Sequence, residues 1–186
     1  MEMPELVTYP NAALPEALSW QALSFVRVVW PWLDDGRIGD IRELSGPAEE
    51  PVHFALVENR LLLSYAAVVR ERIEHAGVAY DVRGLSNVFT FPASRRRGHG
   101  RRVVEAATAH IRASGADLGL LFTGDALEGF YARSGWEALR GTPLLKGPRG
   151  APRISDALKM MLFVSEKGRA GRRAFETQPL HVEHGW

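Results

Sequence analysis

Asn87-Val-Phe-Thr-Phe-Pro-Ala-Ser-Arg-Arg-Arg-Gly-His-Gly100 is the stretch whose reading decides the fold. Val88, Phe89 and Phe91 suit a buried strand. Pro92 has no N–H to donate and ends the ladder. Gly98 and Gly100 keep the backbone clear of Cβ atoms, so N–H groups at a helix start can come close to a phosphate. Arg95, Arg96, Arg97, Arg101 and Arg102 place five cations within eight residues. Two readings fit these residues: a pyrophosphate cradle, or a solvated basic helix start.

Outward from this stretch, residues 98–113 read as a helix, with Val103, Val104, Ala107 and Ile111 on one face and Gly115 as its C-terminal cap. Residues 118–123 form a continuous apolar run, as in a central strand covered on both faces. Asp125 is placed to cap a helix running through Leu127, Phe130 and Tyr131, stopped by Gly135. Residues 136–139 and 159–164 read as strands, and 147–152 as a Gly/Pro loop. On the N-terminal side, residues 5–9 suit a first strand. Pro15 opens a helix over residues 15–33 that Pro31 kinks or ends, and residues 34–40 form an acidic loop leading into a short second helix. Residues 52–58 and 61–72 flank a hairpin at Glu58-Asn59-Arg60. A turn at Ala76-Gly77 precedes two further strand runs, 78–82 and 85–91. The result is an α/β (or α+β) chain around a mixed, mostly antiparallel sheet flanked by helices. Residues 1–164 form one domain and residues 165–186 a C-terminal tail extension.

With 186 residues the chain can bury a real core. It has no cysteine, hence no disulfide, thiolate metal site or cysteine nucleophile. The N-terminus lacks a signal-peptide pattern, no apolar run is long enough to cross a bilayer, and the expected location is cytoplasmic. Twenty-three basic residues balance 22 acidic ones, which argues against a general nucleic-acid binder.

Arg95-x-x-Gly98-x-Gly100 resembles the Arg/Gln-x-x-Gly-x-Gly/Ala element of the GNAT superfamily of N-acetyltransferases. Phe130-Tyr-Ala-Arg-Ser-Gly-Trp136 is similar to the segment in which that family carries a tyrosine facing the sulfur of coenzyme A. The two motifs occur in the family's order, separated by one helix and one strand, and the likeness covers roughly residues 52–140. It implies a strand at Val88, Phe89, Thr90 and Phe91 that splays from its neighbour and pairs with the pantetheine arm. It also implies a pyrophosphate loop made of Arg95, Arg96, Arg97, Gly98, His99, Gly100 and Arg101. A main-chain N–H near Phe89 or Thr90 would hold the acetyl oxygen, worth about 3 kcal/mol by analogy with other oxyanion donors. Tyr131, a phenol of ordinary pKa about 10, would protonate the departing thiolate. Acetyl-coenzyme A is the implied co-substrate and no metal is required.

The chain departs from the family pattern at Gly124, where many members have an asparagine, and no general base is evident. Glu71 and Glu74 are the nearest carboxylate candidates. On the acceptor side, Asp34, Asp35 and Asp40 could attract a cationic amine, with Trp30 or Trp32 as an apolar wall. Asp117-Leu-Gly and Arg140-Gly141 resemble the aminoglycoside 2′-N-acetyltransferases, which also end in tryptophan, so Trp186 joins the substrate candidates. His181 and His184 fit a terminal turn better than a metal site. The expected activity is direct acetyl transfer to a primary amine of a small molecule or protein, with a homodimer left open and no nucleic-acid or membrane partner. The alternatives are a non-catalytic acyl-coenzyme A-binding module and, against the neutral net charge, a nucleic-acid patch at residues 95–102.

Overall fold

The computed structural model describes residues 3–10, 13–30 and 43–183. They fall into two compact units: Met1–Val69 with Ser86–Ala107, and Arg70–Leu85 with Thr108–Trp186. Strands β3 (Leu61–His75) and β4 (Val78–Thr90) and helix α2 (His99–Ala113) each contribute residues to both.

In the first unit, β1 (Glu5–Pro10) pairs antiparallel with β2 (Val52–Glu58), β2 with β3, and β3 neighbours β4. The hairpin expected at residues 58–60 is there. Asn59 and Arg60 both take positive φ, 49° and 66°, as the tightest hairpin turns require. Helix α1 (Glu16–Val29) starts after Pro15 and buries Leu18, Ala22, Leu23, Phe25 and Val26, the spacing of one helical face. Its Gln21 is tied to the hairpin: the side-chain amide donates to Arg60 O and its oxygen accepts from Leu62 N–H. Phe25 stacks on Phe89 with centroids 4.2 Å apart, and Tyr65 lies over the same ring at 5.4 Å. Tyr65 is fully buried with its hydroxyl 2.6 Å from His53 Nδ1; burial pushes its phenol well above the ordinary value.

In the second unit, β4 runs parallel to β5 (Leu118–Thr123), and β5 runs antiparallel to β9 (Leu158–Phe163). β9 also pairs with the short β6 (Glu137–Ala138). A separate three-stranded sheet has the order β10 (Leu180–Val182), β7 (Leu144–Lys146), β8 (Arg153–Ser155). The core joins Tyr80, Val82, Leu118, Leu120, Met161, Phe175, Leu180 and Val182. Phe175 belongs to α4 (Glu166–Thr177), so the segment read as a tail supplies part of this core. Its close seat depends on glycine, because a Cβ on Gly168 would strike Asp117 O and one on Gly171 would strike the Tyr80 hydroxyl.

Several expectations are corrected. Asp125 does not cap a helix: it opens a 3-10 turn, and its carboxylate accepts from Arg140 at 2.7 Å. The two runs 78–82 and 85–91 are one strand, β4. The Gly/Pro loop is followed by an unexpected strand, β8. His181 lies in β10 with Nε2 2.7 Å from Gly147 O, not in a turn. The expected second helix and the loop at 34–40 lie largely outside the described residues; a 3-10 turn at Pro47–Glu49 is the helical feature seen near there.

Candidate functional site

In the first unit the candidate cofactor residues run consecutively through a strand end, a turn and a helix start. Asn87 interrupts β4 with φ 50°, the left-handed conformation found in strand bulges. Its side-chain amide donates to Leu44 O at 2.8 Å, which fixes the kink. Past it, Ser64 clamps the strand end: its hydroxyl lies 2.7 Å from Phe89 O and 2.8 Å from Thr90 Oγ1. Phe91 N–H donates to Leu63 O. Pro92–Ser94 then form one 3-10 turn, and Arg95 folds back so that Nε donates to Thr90 O at 3.0 Å. Arg96 and Gly98 take φ 61° and 80°; the second is a position that only glycine occupies without strain. Helix α2 opens at His99.

The first N–H groups of a helix have no partner within it, and the amino end carries a partial positive charge. Arg96 and Arg97 are exposed and without an ion-pair partner among the described residues. Arg101 is paired with Glu105 at 2.8 Å, and Arg102 donates to Pro4 O. His99 Nδ1 is buried without a hydrogen-bond partner among the described residues. Such an orphaned polar atom is rare in proteins; His75 Nε2 is another among the described residues.

In the second unit the parallel ladder between β4 and β5 consists of three pairs and ends at Gly84–Leu120. Beyond Leu120, β5 pairs with β9 alone. That strand end carries Thr123, whose side chain lowers the pKa of the Tyr131 phenol on α3 (Glu128–Ala132). Tyr131 is 6% exposed. Burial raises its phenol and Thr123 lowers it, for a net value of about 12, so the hydroxyl is protonated across the neutral range. Trp136 is buried and donates from Nε1 to Thr108 Oγ1 at 3.0 Å; it is a packing residue of the motif. Arg140 binds both Asp125 and Glu128, which brace the start of α3.

Asp117, part of the aminoglycoside likeness, is a structural knot. Its carboxylate accepts from Asp81 N–H, Ser165 Oγ and Lys167 Nζ at 3.0, 2.7 and 2.6 Å. Glu71 and Glu74 line a cavity of about 390 Å³ in this unit with Arg72, Arg149, His181 and Glu183. Asp34, Asp35, Asp40, Trp32 and Trp186 lie outside the described residues; Trp30 follows α1, edge-on to Phe25. Ser64, Thr123 and Lys146 were absent from the sequence-based site. The trace of Thr123 was a polar residue closing an apolar run shortly before Tyr131, whereas Ser64 and Lys146 left no local signal.

The described residues form a mixed and mostly antiparallel sheet with four helices. Residues 16–139 match the family model described as an acetyltransferase (GNAT) domain: the chain belongs to the GNAT family. Among solved structures it is similar to an acyl-CoA N-acyltransferase from Pseudomonas aeruginosa, with TM-score 0.60 and 17% identity, over 85% of this chain and 98% of that one. Escherichia coli ElaA is similar at TM-score 0.59 and 17% identity, covering 86% and 99% of the two chains. An aminoglycoside 6′-N-acetyltransferase complexed with coenzyme A is similar at TM-score 0.59 and 12% identity, covering 86% and 97%. No curated protein gives a significant sequence match. No helix among the described residues is long and apolar enough to cross a membrane.

Proposed function

We propose that this protein is an acetyl-coenzyme A-dependent N-acetyltransferase that passes the acetyl group directly to a primary amine of a small molecule or protein. The observation that carries the reading is the unsatisfied helix start after β4: Gly98 at φ 80°, exposed Arg96 and Arg97, and the orphaned His99 Nδ1. Main-chain N–H groups from Arg96 to Arg101 would bind the pyrophosphate, with arginine side chains adding charge-assisted bonds. The β4 end at Val88–Phe91 would pair with the pantetheine arm, and an N–H at Phe89 or Thr90 would hold the acetyl oxygen as negative charge develops. In the family pattern the acid role falls to Tyr131, whose protonated phenol can pass a proton to the leaving thiolate while the amine forms the new C–N bond.

Acetyl-coenzyme A at a hundred times its dissociation constant stabilises a protein by about 2.7 kcal/mol, a rise of roughly 5–10 °C in melting temperature for a chain of this size. Gly98→Val should abolish that shift. Absence of a shift in the wild type would end the reading. Gly124, where many relatives have asparagine, favours a second reading: an acyl-coenzyme A-binding module without turnover. A melting shift with no thiol release across a panel of amines would select it.

A further inference from the structure

The chain has three lysines, and the second unit holds all of them. Lys159 is buried, with Nζ donating to Thr142 O and Oγ1. Lys167 is paired with Asp117 at 2.6 Å. Lys146 differs from both. It is half-buried, with Nζ 4.2 Å from the centroid of the Phe122 ring, and has no hydrogen-bond or ion-pair partner among the described residues. A desolvated lysine without a counter-charge is the form of this side chain suited to act as a nucleophile.

Its place sharpens the point. Phe122 and Thr123 are the last two residues of β5, and consecutive strand residues point to opposite faces. Thr123, which lowers the pKa of the Tyr131 phenol, points to one face, and Phe122 seats Lys146 on the other. The amine and the candidate acid therefore flank one strand end, whose main chain beyond Leu120 has left the ladder with β4. We propose that Lys146 is an acetylation site of this chain's own making, its Nζ taking the acetyl group of acetyl-coenzyme A in an intramolecular self-acetylation. The inference rests on the acetyltransferase reading above.

The step balances simply. The neutral Nζ gives its lone pair to the thioester carbonyl carbon, the C–N bond forms and the C–S bond breaks. The thiolate leaves with a proton from Tyr131, and the surplus proton on nitrogen passes to water and returns to the phenolate. The products are Nε-acetyl-lysine and free thiol. Burial lowers the Lys146 pKa, which raises the share of neutral amine. The acetylated side chain carries no charge to desolvate on the Phe122 ring.

The test is to incubate the purified full chain with acetyl-coenzyme A and no other amine, and to follow intact mass and peptide maps over time. One acetyl group should appear per chain, on Lys146, at a first-order rate independent of protein concentration. It should form at least about tenfold faster than on heat-unfolded chain, since the fold positions the amine. Lys159 and Lys167 should stay unmodified, and Lys146→Arg should remove the label. A melting shift with acetyl-coenzyme A but no label on Lys146 overturns self-acetylation and leaves the acetyltransferase reading standing. No melting shift and no label overturns both. Equal labelling of Lys146 and Lys167, or equal rates in folded and unfolded chain, shows background chemistry and overturns the proposal.

Discussion

Strand β5 begins beside Asp117, whose carboxylate receives three donors from two separate segments: Asp81 N–H of β4, and the Ser165 hydroxyl and Lys167 ammonium at the start of α4. Its main chain is used as fully, since Asp117 N–H donates to Asp81 O and Asp117 O accepts from Val164 and Ser165. At the other end of the same strand, Tyr131 is buried with its phenol raised, and Lys146 has only an aromatic face among the described residues. Both ends are polar and largely buried. They differ in satisfaction: the Asp117 end has its partners within the chain, and the Thr123 end keeps chemistry in reserve. A buried polar cluster that is fully bonded fixes structure. One that is incompletely bonded is where a ligand or a reaction belongs.

The sharpest way to break this contrast is to exchange what each end loses. Tyr131→Phe keeps the ring and removes the proton. Turnover with an accepted amine should fall about 10²–10⁴-fold, the usual share of general acid catalysis, while acetyl-coenzyme A affinity stays near wild type. Stability should drop by only about 1 kcal/mol for the lost hydroxyl. Steady-state kinetics beside a melting curve reads both. Unchanged turnover would remove Tyr131 from the acid role.

Asp117→Asn should behave the other way. The amide keeps the volume but turns one acceptor into a donor facing Lys167 and weakens the charge-assisted bonds. A loss of about 1–3 kcal/mol is expected, measured by denaturant unfolding, with the rate per folded molecule unchanged. A variant as stable as the wild type would show that the knot at the start of β5 contributes little.

The local form of the candidate cofactor loop was legible because its parts are consecutive. A strand, a proline, an arginine run and two glycines are consecutive, and each acts through its own backbone at φ values that Gly98 and Asn87 display. The helix that carries Tyr131 was legible from its neighbours Gly135 and Trp136. The Asp117 knot was not, since its partners at 81, 165 and 167 meet it only once β4, β5 and α4 are assembled. Asp125 misled for the same reason: aspartate before a helix is a cap by local rule, but the basic partner Arg140, a residue beyond the helix, offers a stronger bond. Residues 165–186 read as a tail because they follow the last strand of the family's plan, yet two glycines and Phe175 seat α4 on the core. Lys146 had no sequence signal, because its distinction is the absence of a partner.

The smallest expected effect is electrostatic and tests the start of β5 without altering its shape. Burial of Asp117 raises its pKa, but bonds from Lys167, Asp81 N–H and Ser165 outweigh this and hold it below the ordinary carboxylate value. A group depressed in the folded state stabilises at pH above its unfolded value, about 4, and that contribution is lost as pH falls through the folded value. The difference in unfolding free energy between wild type and Asp117→Asn should therefore be constant from neutrality down to about pH 5 and shrink below about pH 4. Glu137, depressed by its bond to Arg172 against a smaller burial effect, titrates in both proteins and cancels in the difference. A difference that stays constant through the acid range would mean that the side chain at 117 acts through shape alone, and the contrast between the two ends of β5 would then rest on Tyr131 and Lys146.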